Sequence, residues 1–358
     1  MLTVIAFIII LGLLVFVHEL GHFLVAKKTG VKVEEFGFGF PPRLWGIKKG
    51  ETIYSVNAIP VGGFVKIFGE DGEEKENRHS FASKKIWQRA SILLSGVAMN
   101  ILLAILLLSF GYMVGLPWAI EDNQVASDAK VQITQIAPNS PAQTSGMKVG
   151  DTILGVRSAT GEPLFFNKVI EIQNFTDKNR GQEIIVVLQR GKYMFEIKII
   201  PRQNPPLGEG AMGIGLARVA KISYPWQRAL YEGTAATFQL IWLTIYSFGY
   251  LVWQFFSHGR AAGEVVGPVG IFSIAGQASK MGFVYLLQLT ALLSVNLAIV
   301  NALPFPALDG GRALFLIIEK IKGSAVSQTI EKAIHTAGFV FLILLMVVIT
   351  LRDIIKLF

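Results

Sequence analysis

From the N-terminus onward, the chain alternates long apolar runs with shorter polar connections. Leu2–Ala26, Ile92–Trp118 and Phe283–Ile318 are nearly continuous apolar stretches, the last interrupted by Pro304 and Pro306. Each exceeds the roughly 20 apolar residues that a helix needs to cross a hydrocarbon core. Ala337–Leu351 reaches that length when Ile334 and His335 are counted with it. A fifth stretch, Ala229–Phe256, carries Glu232, Thr234, Thr237, Gln239, Thr244 and Gln254, and is more polar than its neighbours. Between Lys130 and Arg202 the pattern changes character. Val131–Ile136, Asp151–Val156, Glu183–Gln189 and Tyr193–Ile199 are short runs that predict strands, with Pro138–Gly146 as a turn-rich connection and Gly191 as a turn.

Composition fits this division. Of 358 residues, 52% are hydrophobic and 16% charged, against about a quarter charged in a soluble domain. The net charge of +8 does not predict a nucleic-acid partner, because the Lys and Arg residues gather beside apolar runs, where they set membrane orientation. Lys48, Lys49, Lys84, Lys85 and Arg89 place residues 27–90 in the cytoplasm, and Glu121 and Asp122 place 119–225 outside. Lys320, Lys322 and Lys332 put the last connection inside; Arg352 and Lys356 argue the other way. The first run has no basic residue ahead of it, has Lys27 and Lys28 behind it, and shows no small-residue cleavage site, so it reads as a retained helix. Without a cysteine, the chain has no disulfide, thiolate metal site or cysteine nucleophile.

The first apolar run contains His18-Glu19-Leu20-Gly21-His22. Histidines at i and i+4 share one helix face, so both imidazoles can bind one zinc while Glu19 reaches a metal-bound water. Three ionisable residues in an apolar span are costly and point to function; the plainer reading is that they pair with one another. Catalytic zinc takes three protein ligands. Asp309, in Asn301-Ala302-Leu303-Pro304-Phe305-Pro306-Ala307-Leu308-Asp309-Gly310-Gly311, is the only carboxylate between Phe283 and Ile318. Its two prolines break a regular helix, which is tolerated at membrane depth where the chain lines a cavity. His79, His258 and His335 lack a partner at ligand spacing and are expected to bind no catalytic zinc.

These paired motifs, HExxH in a first span and NxxPxPxLDG in a later one, resemble the site-2 protease family of intramembrane zinc metalloproteases. Glu34–Trp45, Pro60–Glu70, Ser95–Asn100, Gly267–Gly276 and Ser294–Glu319 resemble its bacterial PDZ-containing branch, the regulator of sigma-E protease type. Ser140–Ser158 resembles a PDZ domain, a fold that takes peptides by strand addition or acts as a steric filter. One such domain is read here, whereas some members carry two. The resemblance implies one Zn²⁺ per chain held by His18, His22 and Asp309, Glu19 as catalytic base, and Asn301, Pro304, Gly62, Gly63 and Phe64 as substrate-contacting residues. It also implies a membrane-associated β-loop over Glu51–Gly69, whose edge pairs with an unwound substrate. Expected substrates are single-span membrane proteins such as anti-sigma factors or remnant signal peptides, met in the lipid of the bacterial inner membrane.

The expected fold is an α-helical polytopic membrane protein of about four transmembrane helices, with a β-rich cytoplasmic loop and an inserted extracytoplasmic PDZ domain. Residues 1–118 form the N-terminal membrane part, 119–210 the PDZ domain and linkers, 211–282 a membrane-surface segment and 283–358 the C-terminal membrane part. Parity supports keeping Ala229–Phe256 out of the count. His18 and His22 lie near the cytoplasmic end of a helix that enters from outside, and Asp309 reaches their depth only if the third span also starts outside. A scaffold with a degenerate site would have no use for Glu19, and a metal transporter would want more intramembrane carboxylates.

Overall fold

A computed structural model describes residues 2–355 apart from 73, 125, 127, 160, 192 and 259–265; Lys356 and the His258 side chain, which entered the sequence reading, lie outside what it describes. The chain divides into two compact units. One comprises residues 1–110, 226–276 and 287–358, the other 111–225 with 277–286.

The first unit is mainly helical. α1 (Leu2–Lys28) is followed by β1 (Val33–Lys49), β2 (Thr52–Ile67), a short 3-10 turn at Phe81–Ser83 and α2 (Ile86–Val114). β1 and β2 are long strands that fold over on themselves. Arg43–Lys49 pair with Thr52–Asn57, and Val33–Phe38 pair with Gly63–Ile67. Residues 35–38 have 53–56 as neighbours on their other side, so the Gly63–Ile67 stretch forms an outer edge. Gly39 (φ +78°) and Gly62 (φ +86°) take the left-handed backbone that these reversals need.

Helix directions in this unit follow from contacts. α1 and α2 run oppositely, since His22 bonds the Ile92 carbonyl and His18 meets Asn100. The second unit's strands, given below, separate α2 from α5 (Trp226–His258), α6 (Pro268–Met281), α7 (Phe283–Ala302), α8 (Asp309–Lys322) and α9 (Gln328–Ile355). Gly276, ahead of α7, packs on Thr3 at the start of α1, while Asp309, beyond α7, meets His18. α1 and α7 are therefore parallel. α9 returns: its start contacts Gly72, and near its end Asp353 accepts Gly267 N–H at 2.9 Å and Gly270 N–H at 2.8 Å. α5 starts with Gly233 against Ser109 near the end of α2, and Thr244 donates to Asn296 of α7 at 3.2 Å. It packs along the bundle, and Gly267, which meets Asp353, lies at the end where α1 begins. Among the described residues, α1, α2, α5, α7 and α9 are long and apolar enough to cross a membrane.

The second unit is a seven-stranded sheet built from β3 (Leu116–Ile120), β4 (Lys130–Ile136), β5 (Thr152–Ser158), β6 (Leu164–Phe165), β7 (Ile184–Arg190), β8 (Tyr193–Ile199) and β9 (Ile214–Ile222). The order is β3-β9-β4-β5-β7-β8, with β6 on β5. Helices α3 (Pro141–Thr144) and α4 (Val169–Lys178) accompany it, and Ile172 of α4 joins a core with Val131, Ile133, Ile153, Val156, Ile184 and Leu188. The Ser140 hydroxyl caps α3, and the Asp151 carboxylate accepts Lys148 N–H at 2.9 Å while pairing with Arg190. The sheet is larger than residues 119–210. β9 falls in the stretch read as membrane surface and is placed by pairing with β3 and β4. That pairing is non-local, and β9 is half-buried without clean alternation, so its pattern gave no signal.

Candidate active site

α1 is apolar on every side, and its three ionisable residues would be stranded unless other elements met them. α2 supplies the close wall. Gly21 lets α1 approach until a side chain there would overlap the Ser95 backbone, the small-residue contact by which helices pack in lipid. Opposite the histidines is Gly96, where an added Cβ would lie 2.6 Å from His18 Cε1 and 2.7 Å from His22 Nε2. No side chain fits there. His18 and His22 are both 6% exposed.

Both rings are fixed from behind. His22 Nδ1 donates to the Ile92 carbonyl at 2.8 Å, which leaves Nε2 as the free lone pair. The Asn100 side-chain nitrogen stands 3.3 Å from His18 Nδ1, and the amide oxygen has no partner among the described residues, so the amide is better placed turned about. With that oxygen toward the ring, it accepts the Nδ1 proton, and His18 Nε2 is freed in the same way. Ser294 in turn donates to the Asn100 carbonyl at 2.8 Å, so α7 braces the same place.

Asp309 arrives from beyond α7. The helix ends at Ala302, the chain breaks over the two prolines, and Asp309 opens α8. Side chains at Gly310 and Gly311 would overlap the carbonyls of Leu303 and Phe305, so two bare residues let α8 fold back against the break. The three ligand atoms converge: His18 Nε2 to Asp309 Oδ2 is 3.0 Å, His22 Nε2 to Asp309 Oδ2 is 3.3 Å, and the two Nε2 atoms are 3.2 Å apart. Ligands of a tetrahedral zinc at about 2.0–2.2 Å stand about 3.3 Å from one another. The donor set fits zinc and leaves the fourth position open.

Glu19 lies on the same turn as the two histidines, and its Oε2 accepts Val65 N–H at 3.1 Å. Val65 belongs to the outer edge of the β-loop, so that edge stands beside the carboxylate. Gly63 lies on the same edge, close enough to Gly37 that a Cβ would come within 2.8 Å of its carbonyl oxygen; the Phe64 ring packs on Gly37, and Gly62 sits beside Val15. Asn301 lies in the last turn of α7, and no hydrogen bond reaches its side chain among the described residues; Pro304 is in the break that follows. The structure thus gathers His18, His22, Asp309 and Glu19 in one place, with the Gly62–Phe64 edge next to Glu19.

Sequence reasoning passed over Gly96 and Asn100, although both lie in a stretch it quoted. A buried Asn in an apolar span was a usable signal; a glycine wall was not. It also passed over Arg312, one turn after Asp309, which pairs with Glu70 just past β2. Burial holds the Glu70 carboxyl above its usual range, against the pull of the Arg312 guanidinium. The pair ties α8 to the β-loop.

Comparison with known proteins gives the same chemistry a family. The model of Peptidase family M50 matches residues 6–345. A candidate zinc metalloprotease of Clostridium acetobutylicum is 34% identical over 352 residues, covering 97% of this chain and 96% of its own. The regulator of sigma-W protease RasP of Bacillus subtilis is 30% identical over 436 residues, covering 99% of both chains. A zinc metalloprotease RasP from Bacillus licheniformis is 30% identical over 437 residues, with the same coverage.

Proposed function

The chain belongs to Peptidase family M50 and is a multi-pass zinc metalloprotease, and from that premise we propose that it hydrolyses peptide bonds within or near the transmembrane segments of single-span membrane proteins. The observation that carries this reading is the convergence of three ligand atoms, two of them on buried histidines, beside a half-buried carboxylate in an apolar helix bundle, where only a membrane-embedded substrate has reason to go. Anti-sigma factors and remnant signal peptides are the substrate classes it takes, the former in keeping with the name of the Bacillus subtilis relative.

His18, His22 and Asp309 would hold the metal, through Nε2, Nε2 and a carboxylate oxygen. When bound, zinc brings the pKa of its water to about 7 and polarises a carbonyl oxygen. Glu19, beside the ligand cluster, would take a proton from the attacking water and deliver it to the leaving amine. Asn301, at the end of α7 with its amide free, hydrogen-bonds substrate backbone. The Gly62–Phe64 edge receives the unwound substrate as an added strand, replacing the backbone hydrogen bonds that a helix loses on opening. The seven-stranded unit is the PDZ module, and it screens substrates by size outside the membrane.

Cleavage in lipid vesicles tests the proposal. A single-span substrate incubated with the full chain should give a new terminus, mapped by mass spectrometry, inside or at the border of its apolar stretch. Cuts confined to soluble regions would overturn it.

Four net crossings, with the PDZ module outside and the zinc ligands toward the cytoplasm, are supported by the parallel course of α1 and α7. Gly233 packs on Ser109 at the end of the bundle where Gly267 also meets Asp353, which supports α5 adding no net crossing. Reporter fusions at Asp177 and Gly282 should therefore both read outside. Opposite locations would show that α5 crosses.

A further inference from the structure

The break between α7 and α8 has little of its own to hold it. Pro304 and Pro306 lack an N–H, Phe305 N–H turns back to the Leu303 carbonyl at 2.7 Å, and Leu308 N–H reaches the Phe305 carbonyl at 3.2 Å. The remaining donor, Ala307 N–H, crosses to α9, where His335 Nδ1 accepts it at 2.9 Å. Ala307 sits at φ +76°, in the left-handed region that a residue with a Cβ seldom enters. An external contact is needed to keep it there.

The same face of α9 supplies two more contacts. Gly338 packs so closely on Pro306 that a Cβ would stand 2.5 Å from the proline Cβ and 2.7 Å from its carbonyl oxygen. The Phe341 ring lies 5.8 Å from that of Phe305, and the His335 ring lies 5.4 Å from Phe315 on α8. Positions 335, 338 and 341 are neighbours on one helical stripe. Residues 305–307 are gripped in turn, and Asp309 follows two residues later.

We propose that His335 is a positioning residue for the metal centre: it holds the Ala307 amide and thereby sets where the Asp309 carboxylate stands. The inference rests on the zinc reading above and assigns α9 a part in it beyond anchoring. His335 binds no metal itself. Its task is to accept one hydrogen bond at Nδ1, with the ring proton on Nε2.

The test uses the full chain in detergent, with zinc affinity read by competition against a chelator and ligand geometry read from the electronic spectrum of bound Co²⁺. In His335→Asn the amide oxygen takes the place of Nδ1, so both readouts should stay close to the unaltered protein. His335→Gln and His335→Ala have no acceptor there, and zinc affinity should fall by about 10- to 100-fold, the range for groups that orient metal ligands, with a shifted Co²⁺ spectrum. An asparagine variant as weak as the alanine one, or all three indistinguishable from the unaltered protein, would overturn the proposal. If the alanine variant does not fold, the asparagine and glutamine pair decides alone. An unaltered chain that binds no zinc would bring down the underlying reading and this inference with it.

Discussion

Glu19→Gln is expected to keep one zinc per chain while cleavage of a single-span substrate falls by about 10²- to 10⁴-fold, the range for losing a positioned general base. The two effects separate because Glu19 is outside the converging set. The candidate ligand atoms come from His18, His22 and Asp309, within 4.8 Å of one another, whereas Glu19 engages Val65 N–H on the β-loop. The glutamine amide keeps an oxygen to accept that N–H, so the edge of the loop should stay in place. What it loses is the ability to take a proton from water. Zinc content by mass spectrometry and turnover of the same preparation decide the matter. Undiminished turnover would remove Glu19 from the mechanism, and loss of zinc would make it a ligand.

Gly96→Val should cost at least about 100-fold in kcat/KM, because misplacing a reacting group by about 1 Å is enough for that loss. The site has no slack on this side. Even the first carbon of a side chain would lie 2.6 Å from one imidazole and 2.7 Å from the other, so one or both rings must turn away from Asp309. Zinc content should fall together with activity, which distinguishes this variant from Glu19→Gln. Leu106→Ala is the matching control on the same helix, since Leu106 is 53% exposed. A Gly96→Val chain with full zinc and full turnover would mean that α2 does not wall the site.

Much of this was legible along the chain. Apolar run length predicted α1, α2, α7 and α9, because a helix in lipid must satisfy its backbone internally and needs little beyond length and apolarity. HELGH announced the metal because helical periodicity alone puts positions 18 and 22 on one face. Asp309 followed from its isolation among apolar residues and from the prolines before it. Strands β4, β5, β7 and β8 could be read from local runs and turns.

The contributions that needed the third dimension are those in which a residue acts on something far away in sequence. β9 is a strand because β3 and β4 flank it, not because of its own pattern. Gly96 matters because two imidazoles lie where its side chain would be. Asn100 orients His18 from 82 residues away, and Arg312 reaches Glu70 across 242. His335 has no ligand spacing and looks idle along the chain; its role exists only because α9 passes the proline break at Ala307. Local periodicity and ligand spacing are properties of a short stretch, so the sequence by itself determined the long helices and the zinc chemistry, and singled out the residues to test for it. Orientation, room and restraint depend on which distant elements pack together, and those the tertiary structure alone decided.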